Sequence, residues 1–326
     1  MKNAMTSALL LGLLTACGGS TDTEIQAAGR LSGRVAIDGS STVFPITEAI
    51  AEEYRTVQPD VRITVGVSGT GGGFKKFIAG ETDISDASRY IKQKEIDACL
   101  EKGREYMEIP VAYDGLAIVV NKANDFATSM TVDELHEMWN SNSTAKTWSD
   151  IRAGWPDRPF KLFAPGQDSG TFDYFTEAVN HKSGNCRSDV TFSEDDNVLV
   201  RGVVGDEDGI GFFGLAYYVE NAEKLNCVAI DPGDGNPVKP SMETVENSTY
   251  TPLSRPLFIY VSTEAVKRPE VDDFVRFYIN QARSLAGEVG YVPMPEKIYK
   301  NLLARYERGA TGTLAGQEGT VEELYQ

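Results

Sequence analysis

Histidine is almost absent from this chain of 326 residues, with only His136 and His181 present. Cysteine is scarce too, four in all, and no two form a Cys-x-x-Cys pair. A zinc centre built from Cys and His is therefore not expected, and a nucleophilic Ser or Cys would lack an obvious base. The chain is read as a non-enzyme with no metal and no cofactor. Positive charge is also short: 31 Lys and Arg against 48 Asp and Glu give a net charge of -17, with a pI of about 4.6. That balance argues against nucleic acid or anionic lipid as partners. An anion would have to be held locally, by neutral donors and one or two buried cations. No apolar run is long enough to span a membrane permanently, and no repeat at a fixed period occurs. What is present is a 41% apolar share, enough for sizeable cores, and a length that suggests two domains.

The first residues read as an address rather than as fold. Lys2 gives a positive start and Ala8 to Leu14 a short apolar run. Leu14-Thr15-Ala16-Cys17 follows and resembles a bacterial lipobox. It implies a signal peptide over residues 1–16, lipid on the Cys17 thiol, and a polar tether over 17–32. A plain secretory signal with a chance Cys is the alternative. The expected location is outside the cytoplasm, periplasmic or at the cell surface, with membrane contact only through the anchor. Cys99, Cys186 and Cys227 would then be left, an odd number. Cys186 with Cys227 is the favoured pair because both fall in one unit, but connectivity is not readable from spacing.

Short β-branched runs alternate with amphipathic helical patterns from Gly33 to about Val120, as in Val35-Ala36-Ile37 before the helix Ile46 to Arg55. Such alternation gives an α/β fold with a mainly parallel sheet. A second unit of the same kind runs over 121–254, where Thr131 and Glu134 form a capping box. Ser254 to Val261 is β-forming again, Val271 to Ala282 is helical, and Gly309 to Gln326 reads as frayed. Two α/β domains are thus expected, 33–120 plus 255–326 and 121–254, joined by two crossing strands. A ligand would sit in the cleft between them.

Three strand-to-helix turns carry the chemistry. They are Gly39-Ser40-Ser41-Thr42-Val43-Phe44-Pro45, Ser68-Gly69-Thr70-Gly71-Gly72-Gly73, and Asp168-Ser169-Gly170-Thr171. Ser and Thr at such points are good N-caps, and Gly lets backbone approach a ligand closely. Free N–H groups at a helix start form an anion site. One such turn is most simply an ordinary cap, but three of them suggest several helix starts aimed at one oxyanion. Asp86-Ala87-Ser88-Arg89 completes the set, with Arg89 as the cation, since its fork binds two oxygens at once. The plainer role for Arg89 is an ion pair with one of the many acids.

Matching in order, these four motifs resemble those of the periplasmic phosphate-binding proteins of ABC transporters, the PstS family, over roughly Gly33 to Tyr306. The resemblance implies a two-lobed, hinge-closing type II binding fold. It implies phosphate capture and delivery to permease subunits by a monomer. Hydroxyls and main-chain amides of Thr42, Val43, Ser68, Ser88, Ser169, Gly170 and Thr171 would hold the ion, with Ser41, Gly69 and Arg89 beside them. Many members carry an Arg just upstream of the Ser-Gly-Thr turn, where this chain has Pro165-Gly166-Gln167. Arg89 must then carry more of the charge. Selectivity over sulfate calls for a carboxylate that accepts the phosphate proton. Asp168 is the first candidate and Asp86 the second.

Other tetrahedral oxyanions (sulfate, molybdate, tungstate) suit the same architecture. Asp168-Ser169-Gly170 also has a superficial likeness to a serine-hydrolase turn, but the two histidines provide the base poorly. The Ser68 to Gly73 stretch fails as a nucleotide P-loop, because Phe74 precedes Lys75 and no Ser or Thr follows it.

Overall fold

A computed structural model of the chain describes residues 30–325 apart from 168, 194, 315 and 318. The elements run β1 (Gly33–Gly39), α1 (Phe44–Val57), β2 (Val61–Val67), α2 (Gly69–Ala79), β3 (Ile84–Ala87), α3 (Gln93–Glu101) and β4 (Tyr106–Asn121). Next come β5 (Ser129–Thr131), α4 (Val132–Trp139), α5 (Trp148–Ile151), β6 (Lys161–Pro165), α6 (Gly170–Asn180), β7 (Thr191–Ser193), α7 (Asp196–Val204), β8 (Gly209–Gly214) and α8 (Leu215–Asn221). The chain closes with β9 (Leu225–Cys227), β10 (Ala229–Asp231), α9 (Met242–Glu246), β11 (Ser254–Ser262), α10 (Pro269–Glu288), α11 (Glu296–Glu307) and α12 (Val321–Leu324).

The main sheet has the order β2-β1-β3-β11-β4-β8-β6-β7, with β9 also on β4. Strands β1, β2 and β3 are mutually parallel, as are β6, β7 and β8, while β4 and β11 run antiparallel to their neighbours. The 16 residues of β4 are buried throughout, and the strand changes partner midway. Tyr106–Gly115 pairs with β11, and Leu116–Asn121 with β8 and β9. Three polar side chains are enclosed in this otherwise apolar strand, and burial without a partner would be costly for each. Asn121 donates to the Val203 and Val204 carbonyls. Asp114 accepts from Arg255. Glu108 accepts from the hydroxyls of Tyr260, Thr313 and Tyr325 and from the Leu314 amide.

The Glu108 cluster overturns the expectation of a frayed tail. Donors at both ends of the segment 313–325 satisfy one buried carboxylate, so the tail is fixed and forms α12. Composition hid this, because the pull comes from a residue some 200 positions earlier. The second turn, Ser68 to Gly73, was likewise under-read as a turn alone. Gly69 to Gly73 is helical despite its glycines, and Gly73 lies so close to β1 that an added Cβ would stand 2.6 Å from Gly39 Cα. Packing of α2 on the sheet thus overrides the low helix propensity of glycine. The expected Cys186–Cys227 bridge is not formed: Cys99, Cys186 and Cys227 are all free thiols.

Apolar faces explain the layers. Ile46, Ile50 and Tyr54 recur at helical spacing on α1, and Tyr54 meets Phe274 and Phe277 of α10 edge-on at 5.2 and 5.1 Å. On the other half of the sheet, Phe175 of α6 stacks on Phe212 of β8 at 3.8 Å, with Trp139 of α4 against both rings. No helix among the described residues is long and apolar enough to cross a membrane.

Candidate functional site

The starts of α1 and α2, together with Asp173 and Tyr174 further along α6, gather around one cavity of about 740 Å³. The first turn is tied back by backbone: Ser40 N donates to Asp86 O at 3.0 Å, and Ser40 Oγ accepts from Thr42 N at 3.2 Å. Val43 is fully buried as a core side chain, and Pro45 starts α1 with φ preset. The second turn needs the left-handed backbone of Gly69, φ +73°, to aim the α2 amides. Among the described residues no side chain caps α2, which leaves its first N–H groups for a ligand. Thr70 Oγ1 lies 3.1 Å from Ser88 Oγ and accepts from Ser88 N at 3.2 Å, joining α2 to the end of β3.

The third turn is capped by Ser169, whose side chain accepts from Thr171 N at 3.2 Å. It is pressed on the first. A Cβ on Gly170 would stand 2.6 Å from both N and Cα of Thr42, and Thr42 Oγ1 donates to Gly170 O at 3.3 Å. Only glycine permits that approach.

Of the residues singled out in the sequence, Ser41, Thr42, Gly69, Ser88 and Arg89 line the cavity. Val43, Ser68, Ser169, Gly170 and Thr171 do not. For the last three the reason is the Gly170–Thr42 contact, which leaves no room between the turns, so α6 presents its next turn instead, with Asp173 and Tyr174. The hydroxyl of Ser68 donates to Asp38, which also pairs with Lys76. Cys17 and Asp168 lie outside the described residues. Asp86 is buried behind the first turn and away from the cavity. Neither of its carboxylate oxygens has a hydrogen-bond partner among the described residues, and the nearby Thr47 hydroxyl is paired with Tyr278 at 2.9 Å. Burial above all pushes Asp86 up to about 8, the proximity of the Thr47 hydroxyl opposing the rise and the charge of Asp38 adding to it. In this arrangement Asp86 does not line the cavity.

Arg89 is committed elsewhere. Its two terminal nitrogens meet the two oxygens of Glu95, each at 2.9 Å. Burial would raise Glu95, but those bonds and one from Lys92 N hold it below the usual carboxylate range. The cation that the sequence reading missed is Arg255. It donates through Nη2 to Thr42 Oγ1 at 2.8 Å, lies 3.4 Å from Asp114 Oδ2, and stacks 3.6 Å from the Tyr174 ring centroid. Among the described residues its Nη1 has no hydrogen-bond partner. Burial raises Asp114 and the charge of Arg255 opposes that rise. Arg255 and Asp114 are cross-strand neighbours on β11 and β4. A lone Asp inside an apolar central strand was the available signal, since it calls for a buried cation.

A model of the PBP superfamily domain matches residues 24–282. The chain belongs to that superfamily. Within it, Protein SphX of Synechococcus elongatus is 47% identical over 99% of this chain and 97% of its own length. The phosphate-binding protein PstS of Staphylococcus saprophyticus is 40% identical over 91% and 89%, which makes the chain a member of the PstS family. A crystal structure of a possible phosphate binding protein from Planctomyces limnophilus shares 48% identity and a TM-score of 0.83 over 86% of this chain and 99% of that one.

The histidines of this PstS-family chain stand far from Ser169. His136 Nδ1 lies 3.1 Å from Val179 O, and its ring stacks on His181, with centroids 5.6 Å apart, at the C-terminal end of α6. Ser169 caps the opposite end of an 11-residue helix, about 16 Å away at 1.5 Å per residue. Neither ring can take a proton from it.

Proposed function

We propose that the chain captures inorganic phosphate in the cavity between the first turns of α1 and α2, Ser88 and Arg255, and delivers it to ABC transporter permease subunits. The single observation that carries this is the convergence on one cavity of the α1 and α2 starts, which have no side-chain cap among the described residues, and the Arg255 guanidinium. Family membership supports the ligand. Hydrogen bonds to a charged partner contribute about 1.5–3 kcal/mol each. Micromolar affinity needs about 8 kcal/mol net, so a handful of such donors suffices after desolvation.

The ion is bound, not transformed, since the serine at the third turn has no base within reach. The two lobes are 33–120 plus 255–326 and 121–254, and bending where β4 changes partner opens and closes the Gly170–Thr42 edge. Ser169, Gly170 and Thr171 then reach the ion as that edge moves. Export and anchoring through Cys17 place the protein outside the cytoplasm as a monomer held at a membrane by lipid alone.

Melting of the purified chain tests the ligand. At a phosphate concentration 100 times Kd, binding adds about 2.7 kcal/mol and a rise of several degrees in Tm. Sulfate, molybdate and tungstate should leave Tm unmoved. A rise with one of these and none with phosphate would keep the site and replace the ligand.

A further inference from the structure

One wall of the cavity, Ser88-Arg89-Tyr90 with Lys92, is held from behind by a buried chain of hydrogen bonds. The Ile91 amide donates to the Tyr260 hydroxyl at 2.9 Å, and that hydroxyl donates to Glu108 Oε2 at 2.7 Å. Tyr260 and Glu108 are cross-strand neighbours on β11 and β4, and Ile91, Tyr260 and Glu108 are all buried. Glu108 also accepts from the C-terminal segment. The Thr313 hydroxyl shares Oε2, while the Leu314 amide and the Tyr325 hydroxyl meet Oε1 at 2.8 and 2.6 Å. Packing follows the same line. Tyr260 meets Phe74 of α2 edge-on at 4.9 Å, and Tyr90 lies 4.5 Å from Phe258, measured between ring centroids.

We propose that Glu108 is a positioning residue of the binding site: acting through Tyr260 it sets the 88–92 wall, and Thr313, Leu314 and Tyr325 in turn set Glu108. This rests on the cavity being the phosphate site, as proposed above. Neither Glu108 nor these three residues line the cavity, so their effect on the ligand is indirect. A carboxylate enclosed in an apolar strand must keep its donors, because each one lost leaves buried charge uncompensated. Withdrawing the donors of the C-terminal segment therefore shifts Glu108, and with it the hydroxyl of Tyr260. A displaced Tyr260 hydroxyl gives up the Ile91 amide. A buried amide without a partner is costly, so the loop moves until it finds one. Ser88, Arg89, Tyr90 and Lys92 all lie within three residues of that amide, and the displacement reaches the cavity.

Three measurements on variants of the purified chain test this: calorimetric titration with sodium phosphate at about pH 8, backbone hydrogen exchange, and urea melts. Tyr260→Phe keeps the ring and removes the link. It should weaken phosphate binding about tenfold and speed exchange at residues 88–92 more than in α6. Thr313→Val with Tyr325→Phe withdraws two donors from Glu108 and should weaken binding about three- to tenfold, with the same exchange signature. Added to Tyr260→Phe, this tail pair should cost stability again but no further affinity, because the link to the wall is already cut. Lys297→Gln, which breaks the Lys297–Glu322 ion pair between α11 and α12 and spares Glu108, should keep wild-type affinity. A tail pair that loses stability while its affinity and its 88–92 exchange stay at wild type would overturn the inference. Affinity losses that simply add in the combined variant would overturn it too. Should the tail pair prove unfolded by circular dichroism, Tyr325→Phe takes its place with the same expectations. Wild-type chain that gives no heat with phosphate removes the ligand assignment alone. Exchange at 88–92 then decides the inference, and unchanged rates in both Tyr260→Phe and the tail pair remove it.

Discussion

The guanidinium of Arg255 donates to the hydroxyl of Thr42 at 2.8 Å, joining the start of β11 to the turn between β1 and α1. The same side chain lies over Tyr174 of α6, so one cation touches both halves of the sheet and the cavity.

Replacing Arg255 should therefore weaken phosphate binding strongly. The loss of a charged hydrogen bond, about 1.5–3 kcal/mol, corresponds to roughly 10- to 150-fold in Kd, read by titration of Arg255→Gln. Arg89→Gln should behave differently, because Arg89 serves Glu95 more than the cavity. Its main effect should be a stability loss of about 1–3 kcal/mol in urea, discounted for the partial exposure of Arg89, with a change in Kd smaller than that of Arg255→Gln.

Gly170→Ala tests the closure edge. The new Cβ would clash with backbone atoms of Thr42 at 2.6 Å, and backbone cannot swing away as a flexible side chain can. The turns must part, at a cost of about 1–3 kcal/mol in denaturant melts. Phosphate affinity should fall as well. A variant as stable and as tight as wild type would show that the two turns need not touch.

Asp86 gives a pH signature. Its folded pKa is raised to about 8, against an unfolded value of about 3.9. The folded state then binds more protons than the unfolded state between those values, so the contribution of Asp86 is fully present below about pH 4 and is lost as pH rises through about 8. Asp86→Asn, neutral at every pH, should flatten that loss. It should melt higher than wild type at about pH 8 and gain nothing at about pH 4. A constant offset between the two curves would contradict the raised pKa.

Much of the fold was legible because it rests on local patterns. Apolar spacing in Ile46, Ile50 and Tyr54, and the capping box at Thr131 and Glu134, marked helices where they occur. The first two Ser, Thr and Gly turns marked strand ends that meet at one cavity, while the third is pressed on the first. What escaped depends on distant partners. The tail is ordered by Glu108, and Arg255 is drawn in by Asp114 across the β11–β4 ladder. Arg89 was legible as a forked cation suited to an oxyanion, yet Glu95, only six positions on, takes it by the plainer route of an ion pair. Asp173 carried no signal of its own in the sequence, and only the approach of Ser41 from another turn brings it to the cavity.

The central claim is that this cavity holds phosphate, and calorimetric titration of the wild-type chain with phosphate at about pH 8 tests it most directly. The account predicts saturable heat with a Kd at or below about micromolar, corresponding to at least about 8 kcal/mol, and no heat with sulfate. Sulfate or molybdate heat in place of phosphate would contradict the ligand, and silence with every oxyanion would reduce the three turns to helix caps.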